Sequence, residues 1–154
     1  MTFIRILLVL VALAISFLTF AADFSKRFMP SPGAVAVVEI KGSNLVWRLF
    51  GKNGIKQGEV SVDTEKPPII EIDSYDFSGR LGFSVSHIDD GMGAYEVDRV
   101  FTFSPSSNEF VERFPSCGDE FANLWVDKKR RYLVSTYWDQ GVPKRCITKL
   151  SIAR

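Results

Sequence analysis

From residue 34 onward, short runs of apolar residues alternate with polar ones and are separated by glycine, proline and asparagine, which is the spacing of strands. Ala34 to Ile40 (AVAVVEI), bounded by Gly33 and Lys41-Gly42, predicts a strand rich in β-branched residues, and Leu45 to Phe50 (LVWRLF) a second. Between that strand and a return over Glu59 to Val62 lies Gly51-Lys52-Asn53-Gly54, whose Asn-Gly pair supplies the positive φ angles of a tight hairpin. Pro67-Pro68 ends this region, and Ile69 to Ile72 begins the next strand.

The second half keeps the rhythm. Leu81 to Ile88 alternates, Asp89 to Gly93 (DDGMG) is a glycine-rich tip, and Tyr95 to Phe103 returns with Tyr95, Val97, Arg99, Phe101 and Phe103 on one face. Val100 lies on the other face, so both sides of this strand are expected to be partly covered. Ser104 to Asn108 is built of turn formers and leads into a strand over Glu109 to Arg113. Ala122 to Val126 and Tyr132 to Tyr137 flank a basic tip, and Lys144 to Ile152 follows the turn Gln140-Gly141-Val142-Pro143. Strands this short point to an all-β antiparallel domain. The one helix left open is a short one before Gly33.

The first residues read differently. Arg5 precedes an uncharged apolar run, Ile6 to Phe20, which ends in Ala21-Ala22-Asp23, the order of a secretory signal. The run is shorter than the roughly 20 residues of a spanning helix, so a signal over 1–21, cut after Ala21, is preferred to an uncleaved anchor. Residues 22–154 would then form a single domain with no stable membrane insertion.

Composition narrows the function classes. The full chain has a formal net charge of +1, and removal of Arg5 with the signal leaves acidic and basic residues balanced. A nucleic-acid binder normally gathers a basic excess on one face, whereas the basic cluster Lys128-Lys129-Arg130-Arg131 reads as a charged hairpin tip. Cys117 and Cys146, an even pair in an exported chain, predict one disulfide. The heavy aromatic content is expected mostly in the core, with Trp125, Phe101 and Phe110 in strand contexts. Tyr95 and Trp138, each beside a glycine-containing turn, could instead face solvent.

The stretch Ser74-Tyr75-Asp76-Phe77-Ser78-Gly79-Arg80 places oxygen side chains on alternate residues before a glycine, the outline of a cation-binding turn. From about Ile72 to Tyr137 the order of features resembles the XAC2610-related family of exported bacterial proteins. That family has an acidic "D-x-N-x-D-G" turn, a glycine-rich loop, an aromatic strand and a later segment around a basic hairpin. Here they correspond to Ser74 to Gly79, Asp89 to Ala94, Val100 to Pro105 with Phe110, and Leu124 to Ser135.

The resemblance implies a periplasmic immunity or inhibitor protein, of antiparallel propeller-like β architecture, that blocks a peptidoglycan-degrading toxin delivered by a secretion system; the expected fold is an antiparallel meander, propeller-like or sandwich-like, with one disulfide. It also implies calcium in the acidic turn of some members. A hard cation wants six to eight oxygens with ample carboxylate charge. This turn aligns only Asp76 as a carboxylate, with Asp73 adjacent and Arg80 just after the glycine, so the residues argue against calcium and for a hydrogen-bonded bend. Related lysozyme inhibitors fill the enzyme cleft with an "S-G-x-x-Y" loop. Gly91-Met92-Gly93-Ala94-Tyr95 keeps the tyrosine and lacks the serine-glycine start, which leaves the identity of the target open.

Catalytic chemistry has few candidates. His87 is the single histidine, before Asp89-Asp90, and no glycine-flanked serine accompanies it. The adjacent acids Asp89-Asp90 and Asp119-Glu120 diverge in a strand or turn and make poor glycosidase pairs. The expectation is therefore a non-enzymatic binder of a cognate toxin. Its contacts are placed on Asp89, Asp90, Met92 and Tyr95 first, and on Trp138 and Asp139 second. A structural or ligand-binding module of the bacterial envelope is the alternative, and a His87-dependent hydrolase the third.

Overall fold

A computed structural model describes residues 25–62, 64, 66–89, 91 and 95–152. The signal assigned to 1–21 lies outside the described residues, as do Asp90 and Met92. The described residues form eleven strands, every pairing antiparallel: β1 (Ser25–Ser31), β2 (Ala34–Lys41), β3 (Asn44–Gly51), β4 (Gly54–Ser61), β5 (Ile69–Asp73), β6 (Gly82–Ile88), β7 (Glu96–Ser104), β8 (Glu109–Arg113), β9 (Phe121–Asp127), β10 (Tyr132–Asp139) and β11 (Val142–Thr148). No helix among the described residues is long and apolar enough to cross a membrane.

The first four strands make a simple meander, and the other seven a second sheet in the order β11-β10-β9-β7-β6-β5, with β8 beside β7. Alternation buries one face of each. Ala34, Ala36 and Val38 of β2 and Leu45, Trp47 and Leu49 of β3 meet Ile70, Phe83, Val85, Phe101, Phe103 and Phe110 of the larger sheet. The two inner faces share this core, the sandwich-like form of the expected fold. β7 is buried on both faces, since Val100 joins Tyr75, Phe121 and Leu133 in a second cluster on the far side.

Several boundaries differ from the sequence reading. The residues before Gly33 form β1 instead of a helix: Arg27 and Phe28 pair with Val37 and Ala36, and Pro32-Gly33 turns the chain. β4 begins at Gly54, five residues earlier than expected, because its polar and glycine-containing start is held by the backbone ladder to β3 and buries little. In the hairpin before it, Gly54 takes the positive φ, 106°, while the loop residues are Lys52 and Asn53. The last turn is only Gln140-Gly141, so Pro143 falls inside β11, where an edge strand tolerates the missing N–H. β11 then ends at Thr148 rather than Ile152.

Trp125 is the largest correction, being 54% exposed and not in the core. It pairs with Val134, which pairs with Ile147, so the three share a face of β9-β10-β11. That face carries exposed Trp125 and Ile147, whereas the small sheet's core partners on the larger sheet come from β5 to β8.

The sheet also forks. β7 pairs along one side with β6, but on the other with β9 only at Val97 and Asp98, and with β8 from Val100 to Ser104. The segment from Phe114 to Glu120 connects the two arms. It is tied down by the Cys117–Cys146 disulfide and by the Ser116 amide donating to Thr148 Oγ1 at 2.8 Å.

Candidate functional site

Three strands bring a site together at the fork. Ala122, at the start of β9, pairs with Val97 of β7 on one side and Thr136 of β10 on the other. Tyr95 precedes β7 and Trp138 closes β10, and the two rings meet with centroids 4.8 Å apart and planes inclined by 45°. Trp138 keeps 45% of its surface exposed. With Tyr137, Thr136 and Gly118, Asp119 and Glu120 from the disulfide-tied segment, they line a cavity of about 390 Å³. That is within the rough 300–1,000 Å³ span of small-ligand sites.

The electrostatics of this cavity are one-sided. Partial burial, then the charge and hydrogen bond of Asp89, then the charge of Glu120, push the Tyr95 hydroxyl above its ordinary pKa. Asp89 also donates its amide to the Tyr95 carbonyl at 2.9 Å, which closes the loop between β6 and β7. Asp119 and Glu120 are exposed and make no ion pair among the described residues. Asp139 lies outside the cavity lining and pairs with Lys144 across the Gln140-Gly141 turn. Of the residues expected to bind a partner, the structure thus joins Tyr95 with Trp138 and sets Asp89 beside Tyr95.

On the other side of Asp119 and Glu120 is a second cavity, lined also by Asp98, Arg99, Glu112, Arg113 and Phe114. Its cations are engaged. Arg99 grips both Glu112 oxygens at 2.7 and 2.8 Å and donates to the Ser61 carbonyl at 2.8 Å, and Arg113 Nε donates to Thr102 at 2.7 Å. Asp98 is only 9% exposed. Burial first, then the charge of Glu96, raise its pKa to about 7, against a lowering hydrogen bond from the Leu124 backbone.

That carboxyl has a testable linkage. Folded, Asp98 holds its proton up to about pH 7; unfolded, only to about 4. The stability it contributes is present at acid pH and falls as pH rises through that window. Asp98→Asn, which keeps an acceptor for Leu124, is expected to gain roughly 1–3 kcal/mol on the parent between pH 5 and 8. Paired thermal melts across that range measure it, and a constant difference would refute it.

The turn at Ser74 to Arg80 does not fit a cation. Asp76 is 3% exposed, and its Oδ1 accepts from the Ser78 amide at 3.1 Å and the Ser78 hydroxyl at 2.6 Å. The Arg80 guanidinium stands 3.9 Å from Oδ2, and Asp73 pairs with Lys128 at 2.8 Å. Ser74 Oγ accepts from the Gly79 amide at 3.0 Å, and Gly79 itself takes φ +84°, a conformation that favours glycine. Asp76 Oδ2 is buried with no hydrogen-bond partner, but the Arg80 charge beside it and the Lys128 pairing of Asp73 offset both carboxylates, which disfavours calcium there. No group of three acidic, histidine or cysteine side chains suited to a metal occurs among the described residues. Arg131, from the basic tip, donates to the Phe77 carbonyl at 2.8 Å and braces the same turn.

His87 lies opposite Val97 in the ladder, and its buried Nδ1 has no hydrogen-bond partner, so no carboxylate orients it through that nitrogen. In the sequence Asp119 and Glu120 read only as a poor catalytic pair. Their place beside Trp138 follows from the Cys117–Cys146 bond, and a cysteine two residues away was the one signal that could have pointed there. Fold and site together define an all-β antiparallel protein with an aromatic and acidic cavity at one end of its larger sheet. Compared with known proteins, the chain matches no protein-family profile, no curated protein and no solved structure.

Proposed function

We propose that the protein is a periplasmic immunity or inhibitor protein that binds a peptidoglycan-degrading toxin and blocks its active site without catalysing a reaction itself. What supports this reading is the Tyr95–Trp138 pair: two aromatics that the sequence sets beside separate glycine-containing turns meet, with one ring substantially exposed. Exposed, inflexible aromatics beside polar groups are the usual energetic centres of protein interfaces. The resemblance supplies the toxin and the compartment.

Co-expression tests the reading: a cognate cell-wall hydrolase is sent to the periplasm, and survival is scored with and without this protein. Trp138→Ala and Tyr95→Ala are each expected to weaken toxin binding by about 2 kcal/mol, roughly thirtyfold, with the circular dichroism spectrum unchanged. Titration calorimetry measures the loss, and full affinity in both variants would remove these rings from the contact. A second reading, a non-enzymatic module of an envelope assembly, draws on Trp125 and Ile147, exposed on either side of the buried Val134. Recovery of a stable multi-subunit complex with no toxin in it would favour that reading.

A further inference from the structure

The walls of the Tyr95–Trp138 cavity agree in electrostatic sign. Aromatic faces carry the negative side of the ring quadrupole, and Asp119 and Glu120 add two carboxylates without ion pairs among the described residues. Among the described residues no cationic side chain lines the cavity: Lys144 is held by Asp139, and Arg99 and Arg113 lie across the Asp119–Glu120 segment with partners of their own. Burial first, and then the charges of Asp89 and Glu120, raise the pKa of the Tyr95 hydroxyl, and those two charges belong to the same negative field. Within the proposed contact, such a site would face a basic residue at the rim of the enzyme cleft and not its catalytic carboxylates, because like charges repel.

We infer that this cavity receives a basic side chain of the partner protein, an arginine whose guanidinium lies against Trp138 and Tyr95 while its fork meets Glu120 and Asp119. This rests on the binding reading above and names the chemistry of the partner at that site. A guanidinium stacks on an indole or phenol face and pairs with a carboxylate through two parallel N–H donors. Lysine offers a point charge that cannot do both in one plane. Ala122 and Gly118, both in the lining, add little or no side-chain bulk to the cavity. The Cys117–Cys146 bond anchors the carboxylate-bearing segment, so part of the ordering cost of binding is met in advance.

The test titrates the full protein with Nα-acetyl-arginine amide, Nα-acetyl-lysine amide and N-acetylglucosamine, and follows the Trp138 indole and the Gly118 and Glu120 amides by NMR. Saturable shifts with the arginine probe are expected, with weaker ones from lysine and none from the sugar. The double variant Asp119→Asn, Glu120→Gln, both exposed positions, should lose at least about fivefold in arginine affinity and most of its salt dependence. With a cognate toxin in hand, the association rate should fall about tenfold or more from low to high salt, and the double variant should flatten that dependence. Saturable sugar binding without an arginine response, or arginine binding untouched by the double variant, overturns the inference. Toxin binding that is salt-independent and unchanged in the double variant overturns it too, while leaving the inhibitor reading intact. If no toxin binds yet the arginine probe still shifts Trp138, the cavity assignment holds and the inhibitor reading falls.

Discussion

Phe110→Ala is expected to destabilise the fold by about 3–5 kcal/mol, the usual cost of removing a buried ring from a core that cannot collapse to fill the space. The reason is its position between the sheets. Its ring lies 5.9 Å from Phe28 of β1, 5.5 Å from Trp47 of β3, 5.0 Å from Phe83 of β6 and 5.9 Å from Phe103 of β7. One truncation therefore strips contacts from both layers at once. The melting temperature should drop on the order of 10–20 °C. Trp125→Ala, an aromatic of the same expected class but lying on the uncovered face, should change stability by only about 0.5 kcal/mol. Chemical denaturation of the two variants side by side measures both, and comparable losses would contradict the burial described for them.

Breaking the Cys117–Cys146 bond has the next largest expected effect. The two residues are 29 apart in sequence, and closing a loop of that length removes unfolded-state freedom worth roughly 3–4 kcal/mol. Here the bond also has a local consequence. Cys146 is buried in β11, so the link holds the segment that carries Gly118, Asp119 and Glu120 against the sheet. Cys117→Ser with Cys146→Ser is therefore expected to lower the melting temperature and to disturb the Trp138 indole resonance, while the Trp47 resonance in the sandwich core stays in place. An unchanged melting temperature in the double variant would rule this out.

How much of the site was readable in the residues depends on the distance over which each part is determined. Tyr95 and Trp138 were recognisable one at a time, because an aromatic next to a glycine-containing turn is a local pattern. That they touch was not, since they stand 43 positions apart in the chain and their meeting requires β7, β9 and β10 to be neighbours. Asp119 and Glu120 have only Cys117, two residues before Asp119, to mark them. They matter because a disulfide and a forked ladder place them beside the rings.

The fold divides in the same way. By itself the sequence determined the class of structure, most of the strands, the disulfide pair and the bend at Gly79, because period-two alternation, turn chemistry and cysteine count act within a few residues or by simple pairing. Which faces are covered was settled by packing between the sheets. Trp125 and Phe110 both sit in alternating strands, yet one is exposed and the other buried, since a four-stranded meander covers part of a seven-stranded sheet. Alternation tells which residues share a face. Whether anything packs on that face is settled by contacts between strands far apart in the chain, and no local pattern encodes them.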